Sequence, residues 1–387
     1  MELLAPIPTF VLQCCQALRH AGFEAYPVGG CVRDLLLSRT PQDWDVCTSA
    51  LPSQVQTLFP HTAPTGLAYG TVTVILEGGT VEVTTFRKEA EYQDGRHPNG
   101  VCFVTSLEAD LSRRDFTINA MALTLDGGMV DPFGGRADLQ ARQVRCVGNA
   151  YQRFTEDRLR MFRALRFAAQ LDFHLEPESL RALTQLASQP HALPPERIRP
   201  EVEKTLCAPA PCWAALFFSS GLLSPYLPRT VEVDTSPLAR LPSDPLTRWA
   251  GLAALLRNAG TDPLPLLHGL IPDRALRRPL EQALSLNLPS DAKGWRRLLA
   301  RYGVDTCTAL AALSLHPQPR QELAEVLSQA PCISVKQLAL SGQDLMGLGL
   351  SGTEIGRVQK LLLEHVLDHP EDNTPEKLRQ QIASHID

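Results

Sequence analysis

The stretch VGGCVRD at residues 28–34, followed by DWD at residues 43–45, decides the fold of this chain. A short strand-like run over 25–28 leads into the two glycines, and a helical pattern begins at Gly30. Glycines at a strand-to-helix turn let backbone N–H groups approach a phosphate, and the helix N-terminus favours its negative charge. The stretch therefore predicts a strand–turn–helix unit that binds a phosphorylated ligand.

Two carboxylates follow this turn on the next predicted strand. Asp43 and Asp45 are two residues apart, so their side chains point to the same face of that strand. Carboxylates held side by side repel each other unless a divalent cation lies between them, and Mg²⁺ prefers such oxygen ligands. A solvated D-x-D turn is the alternative, but the preceding Gly-Gly-x-x-Arg favours a magnesium site that bridges nucleotide phosphates.

A third carboxylate is expected to complete a two-metal site. Glu82 lies in the run VEVTTFR at 81–87, in the middle of a strand of β-branched residues. An inward-pointing acid in such a strand is costly unless a metal ion or a cation is its partner. The alternative is a glutamate on an edge strand that faces water.

The segment RRDFTINAMA at 113–122 gathers two arginines, an aspartate and an asparagine. Guanidinium groups hold triphosphate oxygens, and the neighbouring polar side chains can hold a ribose hydroxyl. The same letters fit an amphipathic helix with an acid in its first turn, and the sequence leaves both interpretations open. The candidate nucleotide-binding residues of this segment are Arg114, Asp115 and Asn119.

A second charged segment, RFTEDRLRMFRALRF, occupies residues 153–167. Its residues Asp157, Arg160, Arg163 and Arg166 recur at intervals of three. On a helix such a row drifts by about −60° per step, so the first three share one face and the last lies at its margin. An Asp acceptor and the planar Arg donor fork can together read the hydrogen-bonding edge of a base. A solvent-facing row of i,i+3 ion pairs would show the same spacing.

Composition sets the broad class of the protein. The 387 residues include 37 Lys or Arg and 42 Asp or Glu, a formal net charge of −5, which excludes a globally basic nucleic-acid coat but not a local basic face. The apolar start has no cationic n-region and is predicted as a first helix, not a signal peptide. No run is long enough to span a bilayer. No two cysteines have C-x-x-C spacing, so we expect buried, reduced thiols and a cytoplasmic location.

The texture of the chain changes near residue 150. Before it, strand-like runs alternate with helical ones, and from Phe154 onward the apolar spacing is 3 or 4 almost everywhere, so that convincing strands disappear. The Gly78-Gly79 pair predicts a hairpin. The predicted strands are Ala25–Val28, Trp44–Cys47, Gly70–Leu76 and Thr80–Thr85, and the predicted helices include Gly30–Arg39 and Pro52–Leu58.

Together these motifs resemble the class II tRNA nucleotidyltransferases, the CCA-adding enzymes, of the polymerase-β-like superfamily that also contains bacterial poly(A) polymerases. The resemblance covers residues 24 to about 206, with a weaker match over 338–367. The matching runs are GGCVRDLLLSRTPQDWDV, PTGLAYGTVTV, VEVTTFRKEAEYQDGRHP, RRDFTINAMAL, DPFGGRADLQ, RFTEDRLRMFRALRFAAQLDF and PERIRPEVEKTL.

This resemblance implies an α+β fold. A polymerase-β-like nucleotidyltransferase head with a small mixed or antiparallel sheet would be followed by an elongated, all-helical neck, body and tail. We expect the catalytic head over 1–148, the helical neck with the nucleotide-selecting helix over 149–206, and the tRNA-binding body and tail over 207–387.

The resemblance also implies a role for each candidate residue. The three acids would be catalytic and would hold two Mg²⁺ ions: Asp43, Asp45 and, with a looser match, Glu82. The remaining residues would bind ATP or CTP: Gly30 and Arg33 at the triphosphate, Arg114, Asp115 and Asn119 at the ribose and phosphates, Asp157 and Arg160 at the Watson–Crick edge, and Arg163 and Arg166 in support of that pocket.

The implied reaction is template-independent addition of C, C and A to the 3′ end of tRNA, with release of pyrophosphate. CC-adding relatives have a shortened loop between Phe86 and Leu107. This loop is full length here and keeps Glu91, Tyr92, Asp94, Gly95, Arg96 and Pro98. An A-adding enzyme, a poly(A) polymerase and a non-enzymatic RNA-binding relative are the alternatives, and the intact acids and arginines argue against the last.

The expected macromolecular partner is tRNA, bound at its acceptor end and elbow by the helical half, with no membrane partner and an open oligomeric state. The candidate basic clusters are Arg274, Arg277 and Arg278, and Lys293, Arg296, Arg297 and Arg301 beside Trp295 and Tyr302. They could line a phosphate track or be solvated surface. Residues 351–356 open a predicted helix whose amides could meet an RNA phosphate, although a plain helix cap explains the same letters.

Overall fold

The computed structural model describes residues 7–89, 101–189, 193–227 and 229–386, which form two compact units. The first unit is Met1–Ser224 and the second is Pro225–Asp387. The expected three-part division at 148 and 206 stays a prediction, since these units separate at 224/225. Among the described residues, no helix is both long and apolar enough to cross a membrane.

The first unit mixes strands and helices, as the sequence predicts. Its helices are α1 (Thr9–His20), α2 (Gly30–Leu36), α3 (Pro52–Leu58), α4 (Leu107–Ser112), α5 (Gly135–Gln140), α6 (Ala150–Glu156), α7 (Leu159–Leu171), α8 (Pro177–Ala187), α9 (Pro195–Leu206) and α10 (Ala215–Ser219). Its strands are β1 (Ala25–Pro27), β2 (Asp45–Thr48), β3 (Thr62–Gly66), β4 (Thr71–Leu76), β5 (Gly79–Thr85), β6 (Arg87–Glu89), β7 (Val101–Phe103), β8 (Ala122–Leu123), β9 (Met129–Val130), β10 (Gln143–Val144) and β11 (His174–Leu175).

All regular secondary structure in the described part of the second unit is helical. Its helices are α11 (Pro245–Asn258), α12 (Leu264–Leu270), α13 (Arg274–Leu284), α14 (Ala292–Leu313), α15 (Pro317–Ser328), α16 (Gly342–Gly347), α17 (Thr353–Asp368) and α18 (Pro375–Ile386). Gly303 interrupts α14, because its φ of 83° is not helical.

A five-stranded mixed sheet organises the first unit, with strand order β1-β2-β5-β4-β3. The β2–β5 pair is parallel and the other pairs are antiparallel. Gly78, with φ 100°, forms the turn between β4 and β5, which confirms the predicted hairpin.

Burial along β5 alternates, so one face of the sheet is core and the other is open. Val81 and Val83 are buried, whereas Thr80 and Glu82 between and beside them are exposed. On the buried face, α1 packs against β1 and β5, and α3 packs against β4 and β5. The open face is therefore free to carry a site.

The predicted elements agree with the observed ones within a few residues, and two expectations were wrong. The helix predicted over Gly30–Arg39 ends at Leu36. Strands do not disappear after Phe154, because β11 pairs in parallel with β10. Such two-residue strands have no periodicity by which a sequence could announce them.

Part of the basic cluster of the second unit is structural. Arg296 is buried and donates from Nε to the Leu367 carbonyl at 2.7 Å, at the C-terminal end of α17. Asp368 accepts from Arg297 and lies 2.7 Å from the Lys293 ammonium. Trp295 is fully buried beside them. These three cations therefore stabilise the end of α17, where positive charge complements the last carbonyls.

The start of α5 provides a test of the packing of the first unit. A Cβ at Gly135 would lie 2.2 Å from the Thr117 carbonyl oxygen, so Gly135→Ala should lower the free energy of unfolding by about 1–3 kcal/mol. Gly356, exposed inside α17 with no atom near its Cβ position, is the matched control: Gly356→Ala should raise it by about 0.5–1 kcal/mol. Urea unfolding followed by circular dichroism measures both, and an unchanged midpoint for Gly135→Ala would contradict the close contact.

Candidate active site

A cleft of about 710 Å³ lies over the open face of the sheet in the first unit. All twelve residues that the sequence singles out line this one cleft. They are Gly30, Arg33, Asp43, Asp45, Glu82, Arg114, Asp115, Asn119, Asp157, Arg160, Arg163 and Arg166. Segments that are far apart in the chain thus meet at a single site, and their individual roles stay predictions.

The glycine turn sets how closely the walls of the cleft approach each other. Gly29 has φ 83°, and a Cβ there would lie 2.8 Å from Arg114 Nη1 and 3.7 Å from Asp45 Oδ2. Its N–H donates to the Met121 carbonyl at 3.1 Å. Only glycine meets both demands, the left-handed backbone and the close approach of a guanidinium.

Asp45 and Glu82 lie side by side because of strand register, whereas Asp43 precedes β2 and does not share that strand with Asp45 as the sequence predicts. Asp45 on β2 pairs with Glu82 on the parallel strand β5, and the Glu82 N–H donates to the Trp44 carbonyl at 2.9 Å. In-register residues of neighbouring strands point to the same face. Burial, together with the charges of Glu82 and Asp43, raises the pKa of Asp45 to about 6, although Arg114 acts in the opposite direction. Carboxylates on two neighbouring strands, with a third just before β2, supply the oxygen ligands that a divalent cation prefers.

Glu82 differs from both sequence interpretations. It does not point into the core, since its side chain is exposed, and it is not on an edge, since β5 lies between β2 and β4. It reaches the cleft from the open face of the sheet. The hydrophobic neighbours that suggested burial occupy the opposite face of the strand.

The segment 113–122 is not an amphipathic helix. Helix α4 ends at Ser112, and residues 117–119 form a 3-10 turn. Asp115 is buried and accepts hydrogen bonds from the Phe116 N–H at 2.8 Å and from Asn119 Nδ2 at 3.3 Å. The chain therefore bends so that its polar side chains enter the cleft.

A continuous chain of polar contacts joins α2 to α7 across the cleft. Arg33 donates from Nη1 to Asn119 Oδ1 at 2.8 Å, Asn119 donates to Asp115, and Arg163 donates from Nε to Asp115 Oδ2 at 2.7 Å. Burial opposes ionisation of Asp115, but Arg163 and the hydrogen bonds lower its pKa to about 2. Both arginines are thus held in place before any ligand binds.

Asp157 does not lie on the same helix as the arginines that follow it. It sits in the break between α6 and α7 with φ −138°, and its Oδ1 accepts the Leu159 N–H at 2.9 Å. Its Oδ2 lies 3.4 Å from Arg197 Nη2. The expectation of one helical row was therefore wrong for Asp157, although Arg160, Arg163 and Arg166 do lie on α7. Residue spacing could not reveal this break, because the three-residue interval continues unchanged from Asp157, which ends α6, to the arginines of α7.

Arg160 and Arg166 are engaged by acids of the surrounding helices. Arg160 is buried and donates to Glu156 Oε2 at 2.7 Å and to the Arg113 carbonyl at 3.3 Å. Arg166 forms an ion pair with Glu201 on α9. These acids hold the guanidinium groups of Arg160 and Arg166 in fixed positions beside α7.

Two residues that matter for the site were missed in the sequence. Asp110 is fully buried and pairs with Arg113 at 2.8 Å and Arg114 at 3.4 Å. Phe167 is buried under the guanidinium of Arg33, which lies 5.2 Å from the ring centroid, and it also contacts those of Arg163 and Arg166. The i,i+3 and i,i+4 spacing of Asp110 to the arginines could have identified it. Nothing in the sequence places Phe167 beside Arg33.

Comparison with known proteins identifies the class. The Poly A polymerase head domain matches residues 25–145, and the "Probable RNA and SrmB- binding site of polymerase A" matches residues 172–232. The chain is 36% identical to a CCA-adding enzyme of Lacticaseibacillus paracasei, over 98% of this chain and 96% of that protein. It is 38% identical to one of a Geobacillus species, over 94% of each chain.

A solved structure shows the same fold. The Bacillus stearothermophilus CCA-adding enzyme in complex with CTP matches 96% of this chain and 97% of its own, with a TM-score of 0.75 and 30% identity. The cleft and the fold define a nucleotidyltransferase with a mixed α+β head and a helical body, which confirms the predicted fold class and enzyme class. The chain belongs to the CCA-adding enzyme family of tRNA nucleotidyltransferases.

The opposite pKa shifts of Asp45 and Asp115 predict opposite effects of the same substitution. Above pH 6 Asp45 is ionised in the folded chain, where its charge costs more free energy than in the unfolded chain. Asp45→Asn removes this cost, so in EDTA at pH 8 it should raise the free energy of unfolding by about 1–2 kcal/mol. This gain should fade as the pH falls from 6 toward 4. Asp115→Asn should instead lower it at both pH 8 and pH 5, because that stability is lost only as the pH falls below 4 toward 2. Urea titrations of the two variants measure these effects, and equal signs would contradict the arrangement.

Proposed function

We propose that this chain adds C, C and A in turn to the 3′ end of tRNA, using CTP and ATP without a nucleic-acid template and releasing pyrophosphate. The observation that carries the proposal is the cleft itself, in which the carboxylates at β2 and β5 lie together with a wall of arginines from α2, α7 and the segment after α4. The names of relatives that match over nearly the whole chain support it. We further propose that it acts in the cytoplasm and contacts the acceptor end and elbow of tRNA.

The carboxylates are the proposed metal site. Asp43, Asp45 and Glu82 would hold two Mg²⁺ ions, which when bound would acidify the attacking hydroxyl and neutralise phosphate charge. Asp45 faces Glu82 across the β2–β5 pair, so the two carboxylates can share a cation. Burial is the main cause of the raised pKa of Asp45, and a bound cation would relieve the smaller contribution from the charges of Glu82 and Asp43.

The arginine wall is the proposed triphosphate site. Gly30 opens α2 with its N-terminus toward the cleft, and Arg33 and Arg114 lie on either side of the glycine turn. Asp115 and Asn119 would hold the ribose. Because most of the rate in phosphoryl transfer comes from positioning and charge stabilisation, arginines that are already fixed by acids reduce the reorganisation that the reaction requires.

Asp157 and Arg160 are the proposed base-selecting pair. Cytosine and adenine both present an exocyclic amino group, which a carboxylate accepts, whereas uracil and guanine present a carbonyl oxygen there. Arg160 donates to Glu156 and to the Arg153 and Arg113 carbonyls, so its guanidinium is held where α6 meets α7. Base selection is thereby coupled to the junction between α6 and α7.

Two related activities are the alternatives to CCA addition that an experiment must distinguish. An A-adding enzyme would share the nucleotide-binding motifs, and a poly(A) polymerase would share the head. The loop residues Glu91, Tyr92, Asp94, Gly95, Arg96 and Pro98, which distinguish the CC-adding type in the sequence, lie outside the described residues.

The deciding experiment supplies Mg²⁺ and tRNA that ends at its discriminator base, with CTP alone, ATP alone or both. Products are read at single-nucleotide resolution. Two nucleotides with CTP alone and three with both support CCA addition. A single A added only to tRNA that ends in CC identifies an A-adding enzyme, and long ladders with ATP alone identify a poly(A) polymerase.

Removal of one metal-binding acid should abolish activity without unfolding the chain. Asp43→Asn should lower kcat by roughly 10²–10³-fold or more, the usual cost of losing a group that stabilises transition-state charge. Glu77→Gln, which changes an exposed acid at the turn between β4 and β5, should leave kcat unchanged. Single-turnover kinetics with a tRNA-binding assay measures both effects, and extension at the wild-type rate by Asp43→Asn would refute the metal assignment.

A change in the acceptor at the base should relax selectivity. Asp157→Asn can donate to a carbonyl, so the preference for CTP over UTP should fall by about 10- to 100-fold, which corresponds to one base contact of about 1–3 kcal/mol. Glu178→Gln, an exposed acid on α8, is the control. Competition between labelled CTP and UTP gives the ratio of their kcat/KM values. A retained preference in Asp157→Asn would assign base selection to another residue.

A further inference from the structure

We propose that the open sheet face beside Glu82 binds the last nucleotides of the RNA acceptor, through a row of threonine hydroxyls on β3, β4 and β5. The row is defined by Thr65, Thr71, Thr73 and Thr84. This inference rests on the proposed function and adds to it the place where the growing strand lies.

The type of side chain in the cleft changes from one edge of the sheet to the other. At one side, β1 leads into the glycine turn, with Arg33 and Arg114 around it. Asp45 and Glu82 follow on the next two strands, β2 and β5. Beyond them lie β4 and then β3. Crossing the sheet therefore leads from arginines, through carboxylates, to the threonine row.

The chemistry of the reaction fixes which substrate lies on which side. In nucleotidyl transfer the attacking hydroxyl and the departing pyrophosphate are roughly in line on opposite sides of the α-phosphate. The triphosphate belongs with the arginines, so the departing end points toward β1. The attacking 3′ hydroxyl must then approach over β5 and β4, which places the acceptor strand beside Glu82.

The side chains beside Glu82 that would contact the acceptor strand are threonines in register with this acid. Thr73 on β4 pairs directly with Glu82, and Thr71 pairs with Thr84 two residues along. Thr71 and Thr84 line the cleft, and their hydroxyl oxygens are 2.9 Å apart. The Thr65 and Thr73 hydroxyls are 2.7 Å apart and carry the row onto β3. In-register residues of neighbouring strands share a face, so the row forms one continuous surface with Glu82.

Hydroxyl groups suit this strand better than cations would. A threonine can both donate to a phosphate oxygen and accept from a ribose 2′-hydroxyl, and neither contact depends on the base. The acceptor has a different terminal base at each addition, so a surface that reads only sugar and phosphate fits all of them. A neutral row also leaves the triphosphate to the arginines on the far side of the carboxylates.

The test is the Thr71→Val, Thr73→Val double variant, because valine keeps the β-branched shape of both positions. With tRNA that ends in CC and saturating ATP, its kcat/KM for tRNA should fall about tenfold, while its KM for ATP stays within about twofold of wild type. The Thr71→Ser, Thr73→Ser double variant retains the hydroxyls and should restore most of the loss. Thr62→Val is the matched control, since Thr62 pairs with the buried Val74 and so belongs to the opposite face.

Each outcome has one meaning. A loss confined to the tRNA parameter and restored by serine supports the acceptor face. An unchanged kcat/KM for tRNA in the valine variant, an equal loss for tRNA and ATP, or an equal loss in Thr62→Val overturns it. The wild-type chain reports separately on the proposed function: if it extends tRNA while the valine variant is unaffected, only the acceptor face is wrong, and if it does not extend tRNA, both are.

Discussion

The parallel pairing of β2 with β5 places Asp45 and Glu82 side by side on the open face of the sheet, and the rest of the cleft is arranged around this pair. Burial of the Asp45 carboxylate costs desolvation, and repulsion from the neighbouring Glu82 adds to that cost, so the pKa of Asp45 is raised. Arg114 opposes that cost from across the glycine turn, and buried Asp110 in turn holds Arg114. The repulsion between the two carboxylates is thus reduced by Arg114, and Asp110 keeps Arg114 in place.

The arginines of the cleft differ from the carboxylates, because each of these cations has a carboxylate partner. Arg163 pairs with Asp115 at 2.6 Å, and Arg166 pairs with Glu201. Phe167 lies beneath three guanidinium groups, where cation–π attraction adds to the ion pairs. These partners keep the donors oriented in the free protein, so that the proposed triphosphate would meet groups that are already positioned.

The sequence predicts the chemistry of this site better than it predicts the local backbone. Motif spacing identified twelve lining residues, because strand–turn–helix signals and paired acids are local features. It failed at Asp157, where a helix break is hidden within a regular three-residue spacing. It also misjudged Glu82, since a strand pattern gives alternation but not which face is covered. Phe167 could not be found, because its contact with Arg33 joins segments more than a hundred residues apart.

In the proposed arrangement, the sheet that aligns the carboxylates also separates the two substrates. A nucleotidyltransferase that adds several residues must hold a highly charged triphosphate firmly and then let the extended strand move. Arginines paired with buried acids suit the first task, and weak neutral contacts from hydroxyl groups suit the second, because each hydrogen bond is worth only about 1 kcal/mol net. With arginines around the glycine turn that follows β1 and the threonine row on β5, β4 and β3, the carboxylates stand at the boundary between the two environments. In this proposal the new bond forms where the strongly held and the loosely held substrates meet, and the strand order of one small sheet sets the side from which each substrate arrives.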